Sequence, residues 1–406
     1  MSKSFKETEI GPIPEEWEVF RLGDVADLNW GDTNTTKSSY TEEGFPAYSA
    51  SGQDGFLDHF DYDREGVVLS AIGANCGDTW FATGKWSCIK NTIRFFPKNE
   101  KKFNSRFLFY VTQGKYHWPK RGSAQPFISQ ADARNVEIAA PVDINEQSRI
   151  ASILSALDDK IELNRKINEN LEKIASALFK RWFVDFEFPN EKGKPYKSSG
   201  GKMVESELGE IPEGWCISSF AETIEILSGG TPKTSEVGYW NGDIPWFSVV
   251  DAPQETDVFI IDTEKKITQQ GVENSAAQIL DKGITVITAR GTVGKVGLIG
   301  VPMAINQSCY GLKGKMDTHG YFTYFTTRML VETLQRGAHG SVFDTITRET
   351  FLNVMVTQPS DDLVIEFEKI IEPIMGSIKL NLFEKRTLTR MRDSLLPRLM
   401  NGRIRV

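Results

Sequence analysis

Apolar residues trace two long helical patterns along this chain. From Asn145 to Phe183 there is no glycine or proline, and Ile150, Ile153, Leu157, Ile167, Leu171, Ile174 and Leu178 recur at heptad spacing. Displaced by 217 residues, Phe367, Ile370, Ile374, Leu388, Met391 and Leu395 repeat that spacing. Polar residues interrupt the first seam at Lys160, Asn164 and Arg181, and the second at Ser377, Asn381, Glu384 and Arg398. A helix of about 38 residues is about 57 Å long, and alone it would leave its apolar stripe in water. The pattern predicts that the two stripes close on each other as an antiparallel intramolecular coiled coil. Asn164 and Asn381 would then meet at a pseudo-twofold axis, where a polar pair fixes register. Leu157, Leu171, Ile374, Leu388 and Leu395 are the apolar candidates for this seam, and the alternative is that each helix packs on its own globular domain. Pro373 and Gly376 predict a bend in the second helix.

What precedes each helix is also repeated. Glu9-Ile-Gly-Pro-Ile-Pro-Glu-Glu-Trp17 matches Glu207-Leu-Gly-Glu-Ile-Pro-Glu-Gly-Trp215, 198 residues on, and Gly31 and Thr33 match Gly229 and Thr231 at the same distance. Ser70-Ala-Ile-Gly-Ala parallels Thr288-Ala-Arg-Gly-Thr, 218 residues on, each after a β-branched and apolar run that reads as a buried strand. Arg121-Gly and Arg336-Gly follow, then Pro141 and Pro359. The period is half the chain, far too long for a solenoid. The expected fold is α+β: two similar globular domains, residues 1–143 and 205–360, joined by long helices at 144–184 and 361–406. Residues 185–204, with Asn190-Glu-Lys-Gly-Lys-Pro-Tyr-Lys-Ser-Ser-Gly-Gly-Lys202, read as an exposed linker. Just before it, Phe179 to Phe188 holds five aromatics in ten residues. Arg181, Trp182 and Phe183 are therefore candidates for docking another subunit, and packing under their own domain is the alternative.

Composition narrows the class. At 406 residues, 40% hydrophobic and 25% charged, the chain has the profile of a folded protein of two or more domains. No apolar run approaches the roughly 20 residues of a membrane span, and Met1-Ser-Lys-Ser-Phe lacks a secretory core, so a cytoplasmic location without membrane association is expected. Cys76, Cys88, Cys216 and Cys309 are too scattered for a zinc site or a disulfide framework. The net charge of −8 divides as −4 in the first domain, −8 in the second and slightly positive in both helices. A nucleic-acid face therefore has to be a local patch on an acidic body.

Catalytic motifs are not found. Gly291-Thr-Val-Gly-Lys-Val-Gly297 lacks the hydroxyl residue and spacing of a phosphate loop and reads as a strand-turn-strand hairpin. The four histidines show no metal-ligand spacing, and no metal is expected. Groups suited to DNA are present instead. Lys115, His117, Lys120, Arg121, Ser123 and Gln125 combine base, aromatic neighbours and amide in one loop-like stretch, the mixture that phosphate anchoring and base-edge reading require. In the second domain Lys233, Arg290, Lys295, Arg336 and His339 are the corresponding candidates. Lys90-Asn91-Thr92 matches Asn306-Gln307-Ser308, 216 residues on, so Lys90, Asn91 and Gln307 are added. An amide can bond an adenine edge bidentately, and an Asn-capped turn is the plain alternative.

With Gly-x-Ile-Pro-x-x-Trp opening each domain, the chain resembles the DNA-specificity subunit of type I restriction-modification systems. Asn145-Glu-Gln-Ser-Arg-Ile150, Asp185-Phe-Glu-Phe-Pro189 and Arg392-Asp-Ser-Leu-Leu-Pro-Arg-Leu-Met-Asn-Gly402 carry the resemblance across both halves; Asp361-Asp-Leu-Val-Ile-Glu-Phe departs from the Glu-Gln entry of the first helix. The resemblance implies two target-recognition domains, each reading half of a split site in double-stranded DNA. It implies helices that set the spacing and carry two modification subunits, with restriction subunits added. S-adenosylmethionine, ATP and magnesium would serve those partners, and no cofactor or catalysis is implied for this chain. The divergence between the domains predicts an asymmetric target. A coiled-coil scaffold that joins partners without reading bases is the competing expectation.

Overall fold

The computed structural model describes residues 4–114, 118–253, 257–316, 320–337 and 345–406, apart from the side chains of residues 333–337. The chain forms two units, residues 1–160 with 388–406, and residues 161–387. Each long helix thus begins in one unit and ends in the other.

In the first unit, Gly66–Ser70 is buried at every position, as a strand covered on both faces must be. It lies in an antiparallel sheet ordered Ala26–Trp30, Thr92–Pro97, Gly66–Ser70, Thr79–Ala82. A second sheet runs Gly52–Leu57, Phe45–Ser49, Lys85–Cys88, Tyr62–Asp63, in which Lys85–Cys88 pairs parallel to Phe45–Ser49. Trp17–Arg21 pairs antiparallel with Glu137–Pro141, immediately before the first long helix, Ile144–Phe183. Trp17, Phe95, Phe107, Ile150, Leu154 and Leu399 share one core, so both helices are built into this unit.

The entry to the first helix shows why Glu146 and Gln147 stand there. Gln147 Nε2 donates to the carbonyls of Pro141 (2.9 Å) and Lys102 (3.0 Å), and its Oε1 accepts from Asn104 N–H (3.0 Å). Asn104 in turn caps the Ser105–Val111 helix through Phe107 N–H. Glu146 accepts from Trp17 Nε1 (3.3 Å) and from Arg405 Nε (2.7 Å). One dipeptide therefore ties the opening motif, the chain end and the helix start together.

The second unit repeats the topology. Ile224–Ser228, Cys309–Gly314, Thr285–Thr288 and Val296–Ile299 form the antiparallel sheet in the same order, extended by Phe259–Ile260 pairing parallel. Trp240–Phe247 pairs parallel to Met303–Ile305 in the other sheet, and Cys216–Ser219 pairs with Met355–Gln358 before the second long helix, Asp361–Met400. Thr285–Thr288 and Val296–Ile299 are antiparallel neighbours, which makes the Gly291–Gly297 stretch the hairpin its sequence suggested.

The helices pair antiparallel within each unit, but only partly on the predicted seam: Ile150, Asn164 and Phe367 of that seam are buried, and most of the rest is not. Buried positions are Ile150, Ala151, Leu154, Asn164, Asn168, Ala175, Phe179 and Trp182 on the first helix, and Phe367, Ile371, Met375, Ile378, Leu382 and Leu399 on the second. Ile153, Ile167, Ile174, Ile370 and Met391 are exposed, while Leu157, Leu171, Ile374, Leu388 and Leu395 are half-buried. The packed column lies about one residue, or 100°, beyond the heptad read from the sequence. It is selected because it also faces the Gly320–Gly337 helix, where Phe179 stacks on Phe325, and the second long helix, where it meets Phe367. The asparagines shift accordingly. Asn381 Nδ2 donates to Asn168 Oδ1 (2.8 Å), one turn from the expected partner, while Asn164 Nδ2 donates to Glu384 Oε2 (2.7 Å). The second helix continues unbroken through Pro373 and Gly376, and Ser377 Oγ donates to the Pro373 carbonyl (2.8 Å).

Residues 190–202 are mostly exposed, and the 185–204 stretch is packed through its aromatic residues. Phe188 is buried, stacked between Tyr196 and Trp215, and Tyr196 Oη donates to Lys202 O (2.9 Å). Trp182 and Phe183 are buried against Phe367 and Phe322 of their own unit, which leaves only Arg181 of the three docking candidates exposed. The aromatic cluster is consumed internally because the Gly320–Gly337 helix supplies Phe322 and Phe325, the second long helix Phe367, and the neighbouring loops Tyr196 and Trp215 as matching rings. No helix of the described residues is long and apolar enough to cross a membrane.

Candidate nucleic-acid interface

At one end of each unit, five chain segments are laced together by backbone bonds. In the first unit, Asp32 N–H donates to Cys88 O (2.8 Å), Ile89 N–H to Tyr48 O (2.9 Å), Ala71 N–H to Asn91 O (3.0 Å) and Ile128 N–H to Ala71 O (2.8 Å). The second unit repeats these bonds. Gly230 N–H donates to Ile305 O (2.9 Å), Asn306 N–H to Phe247 O (2.9 Å), Ala289 N–H to Ser308 O (2.8 Å) and Ile346 N–H to Ala289 O (2.9 Å). Gly31 and Gly229 sit so tightly over the Cys88–Ile89 and Ile305–Asn306 carbonyls that any Cβ would overlap them. The matched glycines of the sequence are thus explained by close backbone approach. They hold one loop against the turn that carries the amide candidates.

The frame gathers many of the candidate residues. Lys90 and Asn91 occupy the turn after Lys85–Cys88, and Gln307 occupies the equivalent turn after Met303–Ile305. Lys90 and Gln307 are exposed; Asn91 is half-buried with φ 72°, and Asn306 Oδ1 accepts from Ser308 N–H (3.0 Å), so both turns are also Asn-shaped. Lys120, Arg121, Ser123 and Gln125 are exposed beside the Ile72–Phe127 bridge, and Arg290 is exposed beside Thr345 in the matching bridge. Lys295 is exposed across the hairpin from Thr288. Lys233 is exposed and pairs with Glu236 (3.5 Å). Lys115, His117 and His339, and the side chain of Arg336, lie outside the described residues. The spacing that pairs Ile128 with Ile346 sets Arg121 opposite His339 rather than Arg336.

Part of the charge at these ends is compensated. Arg121 Nη2 donates to Asp132 Oδ1 (2.6 Å), and that bond, with those from Ser129, holds the Asp132 carboxyl at about 2. Partial burial works against Asp54, but bonds from Lys37, Ser49 Oγ (2.7 Å) and Tyr40 Oη (2.8 Å) keep its carboxyl below the ordinary range. Asp32 is held low by Thr35 and Asn34. In the second unit Ser248 Oγ donates to Asp251 (2.9 Å), the counterpart of Ser49 and Asp54, and Thr231 Oγ1 bonds Gln307. Sequence reading missed Asp32, Asp54, Thr231 and Asp251. The shared Gly-x-Thr at Gly31–Thr33 and Gly229–Thr231 was the available signal for two of them. Among the described residues no cluster of His, Cys, Asp and Glu is arranged to hold a metal ion.

Exposed apolar residues recur at matched positions of the two long helices. Ile153, Leu163 and Ile174 are 37, 50 and 54% exposed on the first helix; Ile370, Leu380 and Met391 are 42, 68 and 47% exposed on the second. Each residue of the second set lies 217 positions after its counterpart.

Two copies of one sheet domain, each ending in the same laced loop frame and each followed by a long helix, define a protein with two like-built binding ends. The chain belongs to the type I restriction-modification DNA specificity family, whose domain matches twice, at residues 14–173 and 212–371. It is similar to the type I restriction enzyme MjaIX specificity subunit of Methanocaldococcus jannaschii, 26% identical over 432 residues that span 99% of this chain and 96% of that one. It is also similar to the HindI specificity subunit of Haemophilus influenzae, 26% identical over 335 residues, 70% of this chain and 72% of that one. In fold it resembles the crystal structure of the type I S subunit from M. genitalium, with a TM-score of 0.65 at 17% identity over 98% of this chain and 99% of that chain.

Proposed function

We propose that each globular domain reads one half of a split, asymmetric target in double-stranded DNA through its laced loop end. The observation that carries this reading is that one backbone frame presents different exposed side chains in its two copies. By the bonds of Ala71 to Asn91 and of Ala289 to Ser308, Lys90-Asn91 stands where the second copy has Gln307-Ser308, one residue from the match read in the sequence, and Ile72 stands where it has Arg290. A shared frame with exchanged polar tips suits readers of two different base sequences. The duplicated exposed positions, Ile153-Leu163-Ile174 and Ile370-Leu380-Met391, suit two copies of one modification (methyltransferase) subunit, with restriction subunits joining the assembly. The chain itself contributes recognition and no chemical step; S-adenosylmethionine, ATP and magnesium belong to its partners, and the complex works in the cytoplasm.

The test is modified-base sequencing of host DNA with the gene intact, deleted, and with each domain exchanged separately for a foreign one. A split methylation motif that disappears on deletion, and whose halves change one at a time on exchange, is the expected result. Methylation that is indifferent to deletion and exchange would favour a scaffold that joins partners without reading bases.

A further inference from the structure

The stretch Arg121–Phe127 is built as a fixed stem with a polar tip. Arg121 and Phe127 exchange both backbone hydrogen bonds, each 2.9 Å long. The far side of the stem is sewn to the laced frame, with Gly73 N–H donating to Pro126 O (2.9 Å) and Ile128 N–H to Ala71 O (2.8 Å). Gly122 adopts φ +77°, and a Cβ there would collide with the Gln125 carbonyl, so the turn closes only on glycine. At the tip, Gln125 is exposed, and its amide meets no hydrogen-bonding partner among the described residues.

Arg121 is placed differently. Its guanidinium is bound to Asp132, which also closes the capping box with Ser129 at the start of the Gln130–Arg134 helix. A cation already matched by a carboxylate at 2.6 Å adds little net attraction for phosphate. It does clamp the stem to the helix.

We propose that Gln125 is the base-reading side chain of this hairpin, with an adenine at one position of the first half-target as its ligand, and that Arg121 is a positioning residue acting through Asp132. The proposal rests on the reading of the first domain as a DNA reader. A carboxamide offers a donor and an acceptor side by side, which matches N7 and N6 of adenine in the major groove.

The test uses the full chain expressed with its modification subunits, with the methylated motif mapped by modified-base sequencing. For Gln125→Ala, methylation at sites carrying another base at one position of one half rises about 5- to 150-fold relative to the wild type. Gln125→Glu, which keeps the size, turns the preference at that position toward cytosine. Arg121→Ala and Asp132→Asn relax the same position, and Arg121→Lys restores it. A phosphate contact would instead give uniform weakening with Arg121→Ala, uniform strengthening with Asp132→Asn, and a salt slope changed by about one. That pattern, or a motif unaltered in both Gln125 variants, overturns the proposal. An unaltered second half-target in each variant reports a folded, assembled chain. If the wild-type chain directs no methylation, the DNA-reading assignment falls and the proposal with it, an outcome distinct from a strict motif that ignores Gln125.

Discussion

The laced loop ends and the exposed apolar positions of the long helices are both duplicated, yet they have been treated differently. At the loop ends the backbone bonds repeat one for one while the exposed side chains change, as between Lys90-Asn91 and Gln307-Ser308. On the helices, Ile153, Leu163 and Ile174 are matched by Ile370, Leu380 and Met391, apolar for apolar. A single exposed hydrophobic residue is ordinary on a protein surface. Keeping three at the same positions in both copies fits one kind of partner met twice, whereas changing the loop tips fits two different ligands.

This contrast can be broken at several points. The largest effect is expected from exchanging residues 118–128 for the corresponding loop of a relative with another target. One half of the methylated motif should change completely and the other not at all; coordinated change in both halves would mean that the ends are not separate readers. Next is the matched tryptophan pair. Trp17 is fully buried and bonded to Glu146, while Trp215 is half-buried among Phe183, Phe186 and Phe188. Trp17→Ala should cost about 3–5 kcal/mol and Trp215→Ala less, read from hydrogen-exchange protection in each unit.

A third point is pH. Burial raises the Glu368 carboxyl to about 7, although it accepts Phe322 N–H at 2.7 Å, and Glu372 beside it adds in the same direction. A carboxyl that is raised on folding favours the folded state fully below about pH 4.5, and this advantage is lost as pH climbs to 7. The second unit should therefore lose about 3 kcal/mol over that window. Glu368→Gln should flatten the slope, measured by chemical denaturation at a series of pH values. In the first unit Asp132, held low, gives the opposite sign, with stability present above about pH 4 and lost as pH falls toward 2.

Smaller effects test the helices. Ile153→Asp and Ile370→Asp should each weaken capture of the modification subunit by at least about tenfold, and by equal amounts, in titrations of the purified chain. A loss from one variant alone would break the equivalence of the two sets. Asn168→Ala strands the half-buried amide of Asn381 and should cost about 1 kcal/mol, seen as a lower denaturant midpoint.

The duplicated domains, the long helices and the hairpin at Gly291–Gly297 were legible because each is written as spacing: a repeat, a heptad, a glycine-punctuated pair of apolar runs. The register of the helices was not. Each helix carries two adjacent apolar columns, and only the position of Phe325 and Phe322 selects the column holding Phe179 and Trp182 over the one holding Ile167 and Ile174. The packing of the linker was hidden for the same reason: residues 190–202 are mostly exposed, but Phe188 is stacked between Tyr196 and Trp215, which only the fold brings together.

At the loop ends the division is similar. Residue type marked Arg121, Gln125, Lys90 and Gln307 as polar groups in turns, which composition and punctuation alone convey. That Arg121 is spent on Asp132 while the Gln125 amide stays exposed depends on a contact eleven residues away and on a stem closed by backbone bonds. Local spacing determines which elements form, because hydrogen bonding and side-chain periodicity are near-neighbour properties. Which face is buried and which charge is matched is decided by distant segments competing for the same contacts, and only the folded chain resolves that competition.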